Sequence, residues 1–185
     1  TFPSAPQTFT VPNSKGKEFF EVKNYDDIYY GSSDLATATV HSDNSIFAQL
    51  GFGSNGLGRK GPQKVGETAE RMGIDGKSFD TNPAMILGGI DPGVTPLEMA
   101  YAFSTIARDG KRVGGELDSS PGPNNDLRDL APTGITEVML PDGETLDGGK
   151  DYNQKEMQAI PESVASSVRS ILRSNVVGGT GRLAQ

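Results

Sequence analysis

The 185 residues contain no cysteine, which excludes a disulfide scaffold, a cysteine zinc site and a thiol nucleophile. Redox compartment stays open, and a cysteine-free chain is at ease outside the cytoplasm. There is one histidine, His41. It cannot supply a multi-histidine metal site, and neither H-E-x-x-H nor a D-x-D-x-D-G loop occurs. Lys and Arg are missing from Asn24 through Gly58, where four Asp stand. With a net charge of -7 and a pI near 4.7, no basic stripe is available for nucleic acid, and no basic patch for a membrane surface. No apolar run has the length of a membrane span, and no signal peptide is visible. The chain starts at Thr1, so missing targeting signals say little about a parent protein. Hydrophobic residues make up 34%, low for a self-sufficient globule.

Glycine is plentiful, at 24 residues, and turns and close backbone approaches are expected. Residues 1–17 read as extended chain and turns. Lys17 to Tyr30 mixes aromatics with charges and allows short strands or an irregular surface. Ser33 or Asp34 can cap a short helix that ends near His41, with Leu35 and Ala38 toward a core. Ser45 to Phe52 places Ile46, Phe47 and Leu50 at helical spacing. Gly61-Pro62 opens the next helix, with Val65, Ala69 and Met72 as its apolar stripe and Gly73 as its C-cap. Met85-Ile86-Leu87 is a compact apolar segment. Thr95-Pro96-Leu97-Glu98 has the form of a capping box and starts a long helix, with Leu97, Ala100, Tyr101, Ser104 and Ala107 or their neighbours on its packing side. Gly110 ends it. Val113 to Thr133 reads as loop, and Ile135 to Leu146 as a hairpin about Pro141-Asp142-Gly143. A last helix starts near Pro161 with Val164, Val168, Ile171 and Leu172 on one face. The sum is several helices with little strand, and strands are expected in flanking segments.

Ser42-Asp43-Asn44 stands at the break between two helices and has two readings. Ser, Asp and Asn cap helices routinely. The same groups serve acyl transfer, a hydroxyl relaying a proton and an amide holding a carbonyl, provided a nucleophile, a base and an oxyanion site lie near. No base for them is evident in this chain. Ser14-Lys15-Gly16-Lys17 matches a bare S-x-x-K, but in a Pro/Gly-rich segment with no helical face. Gly179-Thr180-Gly181 lacks the lysine of a phosphate loop and reads as a helix exit. His41 and the pairs Phe19-Phe20 and Tyr29-Tyr30 read as packing residues, and Asp26-Asp27 as a solvated turn.

Taken in order, several stretches resemble the transpeptidase domain of penicillin-binding proteins, most closely the bifunctional class A type. Ser42-Asp43-Asn44 is similar to that family's S-x-N motif. Val22-Lys23-Asn24-Tyr25-Asp26 resembles the segment before it, and Ser45-Ile46-Phe47-Ala48-Gln49-Leu50 the helix after it. Leu87-Gly88-Gly89 followed by Val94-Thr95-Pro96-Leu97-Glu98-Met99-Ala100 is the most specific match. Val176-Val177-Gly178-Gly179-Thr180-Gly181 resembles the end of a late helix. The resemblance implies an α/β (α+β) serine transpeptidase and β-lactamase-like fold. Residues 1–185 would be its mostly helical central segment, without the S-x-x-K and K-T-G motifs, and flanking segments would complete the sheet. It implies a D,D-transpeptidase that cross-links peptidoglycan stem peptides through a serine acyl-enzyme and is acylated by β-lactams. Ser42 would pass a proton to the leaving amine, and Asn44 would bind a substrate carbonyl or a β-lactam side-chain amide. Asp43 would point away and cap or brace the turn. The nucleophilic Ser and its Lys are expected outside this chain, which alone would be inactive, and no cofactor or metal is needed. Implied partners are the remaining segments of the domain, stem peptides and β-lactams, at the extracytoplasmic face of the cell membrane, anchored through another part of the parent. Alternatives are a degenerate relative that only binds peptidoglycan or a partner protein, and a serine β-lactamase, which shares S-D-N.

Overall fold

The computed structural model describes residues 1–11, 14–74, 79, 82–91, 93–114, 139–144 and 155–184. They form two compact units. The first comprises Thr1–Glu70, Asp75–Thr95 and Ser167–Gln185, and the second Arg71–Ile74 and Pro96–Ser166.

The first unit begins with four short strands, β1 (Phe2–Ser4), β2 (Gln7–Thr10), β3 (Phe19–Val22) and β4 (Gly31–Ser33). β1 pairs antiparallel with β4, and β2 with β3. Helix α1 (Leu35–His41) starts at Asp34, whose carboxylate accepts the Thr37 N–H at 2.8 Å. Helix α2 (Asn44–Phe52) follows within two residues. Its Ile46, Ala48 and Phe52 are buried, and each of the larger two contributes about 1.5–3 kcal/mol of burial. Phe9 of β2 meets Phe52 edge-on at 5.6 Å. Gln49 is buried but satisfied, donating to the Pro3 and Ser45 carbonyls at 2.7 and 3.0 Å.

Helix α3 (Gly61–Arg71) opens at Gly61-Pro62 as the sequence predicts. A Cβ on Gly61 would lie 1.5 Å from the Gly51 carbonyl oxygen, so only glycine lets the start of α3 close on the end of α2. The covered face of α3 is not the Val65, Ala69 and Met72 stripe that the sequence predicts. Val65 is exposed, and the buried positions are Gly61, Pro62 and Gly66, because the close approach is made by small residues. Leu35, expected to face a core with Ala38, is also exposed, and Ala38 alone is buried. Pro83–Leu87 forms a 3-10 turn with Met85 buried against α2.

The second unit holds α4 (Pro96–Ala107) and the antiparallel pair β5 (Lys111–Gly114) and β6 (Lys155–Gln158). Its core includes Ala102, Thr105, Val113, Ala159, Ile160 and Ala165. Leu97 and Ala100 lie exposed, so the packing side of α4 is Ala102 and Thr105 with Tyr101. Tyr101 donates to the Val113 carbonyl at 2.5 Å, and burial raises its phenol above the ordinary value while the Arg112 charge opposes that. Val113 and Gly114 belong to β5 rather than to a loop. The remainder of that expected loop lies outside the described residues. Of the expected hairpin, the Pro141-Asp142-Gly143 turn is present, closed by Leu140 N–H to the Glu144 carbonyl at 2.7 Å. Ile135 to Val138 and Thr145-Leu146 lie outside the described residues.

Helix α5 (Glu162–Gly178) passes from the second unit into the first. Val164 is exposed, and the covered face runs instead through Ala165, Val168, Ile171 and Leu172. Helices dominate, and the sheets are two-stranded among the described residues.

Candidate active site

The polar break between α1 and α2 is divided among its three residues. Ser42 is the C-cap of α1 in the left-handed conformation, φ 55° and ψ 48°. Its N–H meets the last-turn carbonyls of Ala38 and Thr39. A non-glycine residue there costs roughly 1–2 kcal/mol. Its side chain is exposed and makes no hydrogen bond among the described residues. The chain reverses at Ser42, and Asp43 then caps α2, its Oδ1 accepting the Ile46 N–H at 3.0 Å. Asn44 is the first residue of α2, half-buried, and donates to the Lys23 carbonyl at 3.2 Å.

Asp43 is 1% exposed and anchors the break from below. Ser4 donates to its Oδ2 at 2.5 Å, and Ser45 to its Oδ1 at 2.7 Å. Ser4 in turn accepts the Tyr30 N–H at 3.1 Å. Asn24 accepts the Ser45 N–H at 3.0 Å and donates to the Ile28 carbonyl at 3.0 Å. Burial pushes the Asp43 carboxyl up, but hydrogen bonds from Ser4, Ser45, Ile46 and Asn24 outweigh it and hold the group below its ordinary value. It is therefore an ionised brace, fully occupied. Sequence reasoning placed Asp43 as a brace but missed Ser4, Ser45 and Asn24 as its partners.

His41 stacks on Tyr30 with centroids 3.9 Å apart and planes within 16°, a packing role beside Ser42. Asp26 and Asp27 form an exposed turn, with a Lys23–Asp27 ion pair at 3.5 Å. Ser14 and Lys17 lie in the turn joining β2 and β3. The Ser14 hydroxyl donates to the Val11 carbonyl, and the Lys17 N–H to the Ser14 carbonyl. They are not on a helix and do not make a Ser–Lys pair.

The glycine-rich end of α5 reaches the same place. Asn175 donates to the Thr39 and Val40 carbonyls at 3.0 and 3.2 Å and to the Thr180 hydroxyl at 3.0 Å. Thr180 N–H also donates to the Val40 carbonyl. These donors satisfy the Val40 carbonyl, which the end of α1 leaves without an intrahelical partner, and add to the bond that the Thr39 carbonyl already accepts from Ser42 N–H. Asn175 and Thr180 thus fix the last turn of α1, two residues before Ser42. The sequence showed a helix exit at Gly178-Gly179, but gave no sign of what it packs on. Among the described residues no group of His, Asp or Glu gathers to hold a metal ion, and no helix is long and apolar enough to cross a membrane.

A family model for the penicillin binding protein transpeptidase domain matches residues 4–185. Among curated proteins the chain is similar to Penicillin-binding protein 1B of Haemophilus influenzae, 24% identical over 179 residues, which covers 97% of this chain and 19% of that protein. It is also similar to Penicillin-binding protein 1F of Bacillus subtilis, 25% identical over 158 residues, covering 85% and 18%. Among solved structures, the D,D-transpeptidase domain of a peptidoglycan glycosyltransferase from Eggerthella lenta superposes with a TM-score of 0.61 at 24% identity, covering 100% of this chain and 44% of that one. Penicillin-Binding Protein 1A from Haemophilus influenzae gives 0.60 at 23% identity, covering 97% and 27%. The chain therefore spans less than a fifth of the length of these two curated relatives and shares its fold with transpeptidase domains.

Proposed function

Because the chain belongs to the penicillin-binding protein transpeptidase family, we propose that it forms the central part of a peptidoglycan D,D-transpeptidase working through a serine acyl-enzyme. One observation carries the assignment of Ser42. Its backbone is held in a costly conformation and its exposed hydroxyl makes no hydrogen bond among the described residues, while the buried Asp43 braces the loop beside it. The Ser42 backbone caps α1 while its side chain takes no part in the cap, and a polar side chain left uncommitted on a firmly braced, left-handed residue fits a functional group.

In this reading a Ser outside the chain, its proton taken by a neighbouring Lys, attacks the carbonyl carbon of a D-Ala-D-Ala bond. Backbone N–H groups stabilise the tetrahedral oxyanion. The C–N bond then breaks, and the departing amine takes its proton through the Ser42 hydroxyl, which the Lys resupplies. Asn44 holds a substrate carbonyl, or the side-chain amide of a β-lactam, through its side-chain amide. An amine from a second strand attacks the acyl-enzyme carbonyl, its proton passes through Ser42 and the Lys to the departing Ser oxygen, and the ester C–O bond breaks as the amide cross-link forms. Proton bookkeeping closes within Ser, Lys and Ser42, with no metal. Family membership favours this over a relative that only binds peptidoglycan. The site of action is the extracytoplasmic membrane face, with the anchor in another part of the parent.

The test is covalent labelling by a fluorescent penicillin. The 185 residues alone should take no stoichiometric label, and the domain completed with its flanking segments should take one per chain. Stoichiometric labelling of the 185 residues would place the nucleophile within them and return Ser14 to consideration.

A further inference from the structure

A cleft of about 520 Å³ runs between β2 and the glycine-rich turn after α2. Gln7 through Thr10 form one wall, and Ser54, Asn55 and Arg59 the other. Gln49 and Phe52 of α2 line it as well and no β3 residue does, and on the side away from β3 the strand β2 has no paired strand among the described residues.

The hairpin register says what that side offers. Val11 N–H donates to the Glu18 carbonyl at 2.9 Å, and in register Phe9 faces Phe20 and Gln7 faces Val22. Antiparallel pairs alternate between hydrogen-bonded and non-hydrogen-bonded. Phe9 and Gln7 therefore bond to β3, while Thr8 and Thr10 turn their N–H and C=O groups outward. Those groups have no partner among the described residues, and both threonines are exposed. Among the described residues this is an open strand edge of the kind that accepts another strand. The cleft of about 520 Å³ is lined along Gln7–Thr10, the length of β2.

The charge at the mouth is specific. The chain carries -7 overall and has no Lys or Arg from Asn24 through Gly58, yet Arg59, Lys60 and Lys64 follow closely. Arg59 is exposed and lacks a partner among the described residues.

We propose that this cleft docks an extended acidic segment of a partner protein, which adds to β2 as a third strand and sets a carboxylate against Arg59. Binding uses neither Ser42 nor Asn44 and is independent of the transpeptidase reading.

The test uses the full chain and a fluorescent, end-blocked peptide of alternating Val and Glu, read by anisotropy, beside a Val/Lys peptide. The acidic peptide should bind, and the basic one at least about tenfold more weakly. Thr8→Pro and Thr10→Pro each remove one outward N–H that the ladder does not use. Each should weaken binding about fivefold, as should Arg59→Gln, by the worth of one lost hydrogen bond. Thr8→Ala should bind like the parent. Should a proline variant fail to melt cooperatively, hydrogen exchange decides: peptide must protect the Thr8 and Thr10 amides. The proposal is overturned if the acidic peptide does not bind, if folded Thr8→Pro and Thr10→Pro bind it unchanged, or if those amides stay unprotected. It is equally overturned if the longer parent polypeptide excludes the peptide, which would assign the edge to its own flank. Self-association lost in Thr8→Pro, without preference for the acidic peptide, would assign it to a second copy and overturn it too.

Discussion

Ser4 and Asp43, 39 positions apart in the chain, share a buried hydrogen bond of 2.5 Å. That bond ties the first strand to the loop carrying Ser42 and Asn44. Asp43 also caps α2 and accepts the Ser45 hydroxyl, so one carboxylate closes three separate connections. The loop is held from beneath, and Ser42 beside it is left exposed.

Asp43→Ala should therefore destabilise the first unit by about 3 kcal/mol, the sum of a lost cap and buried hydroxyls left unpaired. The acid limb gives a sharper reading. The Asp43 carboxyl lies below its ordinary value in the folded state. Its contribution is complete above the unfolded value of about 3.9 and is lost as pH falls from there through the lower folded value. Asp34 and Glu156 are depressed as well, so the difference between parent and Asp43→Asn isolates the residue. Stability measured by denaturant against pH should show that difference at neutral pH and shrink below about pH 4. A difference constant with pH would remove the ionised brace from the account.

The junction of α5 with α1 gives a second prediction, on two neighbouring glycines. A Cβ on Gly179 would stand 2.3 Å from the Val40 carbonyl oxygen, whereas one on Gly178 meets nothing within 4 Å. Gly179→Ala should cost about 1–3 kcal/mol as for an overpacked site, and displace the last turn of α1. Gly178→Ala should be neutral or stabilising by up to about 1 kcal/mol, through helix propensity. Thermal melts of the two variants compare them directly, and equal melting would mean that the α5 end does not rest on α1.

Local signals in the sequence were read well where the physics is local. Asp34 caps α1, Gly61-Pro62 starts α3, α4 begins at Pro96, and Gly110 follows α4 with φ 83°. Each depends on residues within a turn of one another. Which face of a helix is covered was less legible. Val65 and Val164 satisfy the helical period but lie exposed, because small residues make the close approaches and the period does not say which apolar side has a neighbour. The resemblance singles out Ser42-Asp43-Asn44 as a candidate site, and the structure shows how the three residues are placed. The resemblance also gives Asp43 the cap or brace, as observed, whereas capping preference alone leaves all three residues open. The left-handed turn at Ser42 decides it, by handing the cap to Asp43. Ser4, Asn24 and Asn175 were not seen as supports, because their partners lie 39, 21 and 136 positions away and no local pattern encodes such pairings.

The role of Ser42 is tested most directly by Ser42→Gly in the domain completed with its flanking segments. Glycine accepts the left-handed backbone without strain and removes the hydroxyl that makes no hydrogen bond among the described residues. A catalytic Ser42 separates stability from activity. Melting should be unchanged or rise, by at most about 1 kcal/mol, while peptide cross-linking falls by about 10²–10⁴-fold with loss of the proton relay. Asn44→Ala beside it should slow acylation by roughly tenfold to a hundredfold, the worth of a ligand amide left unpaired. Parent rates of cross-linking in folded Ser42→Gly would contradict the account and leave Ser42 only the backbone position at the end of α1.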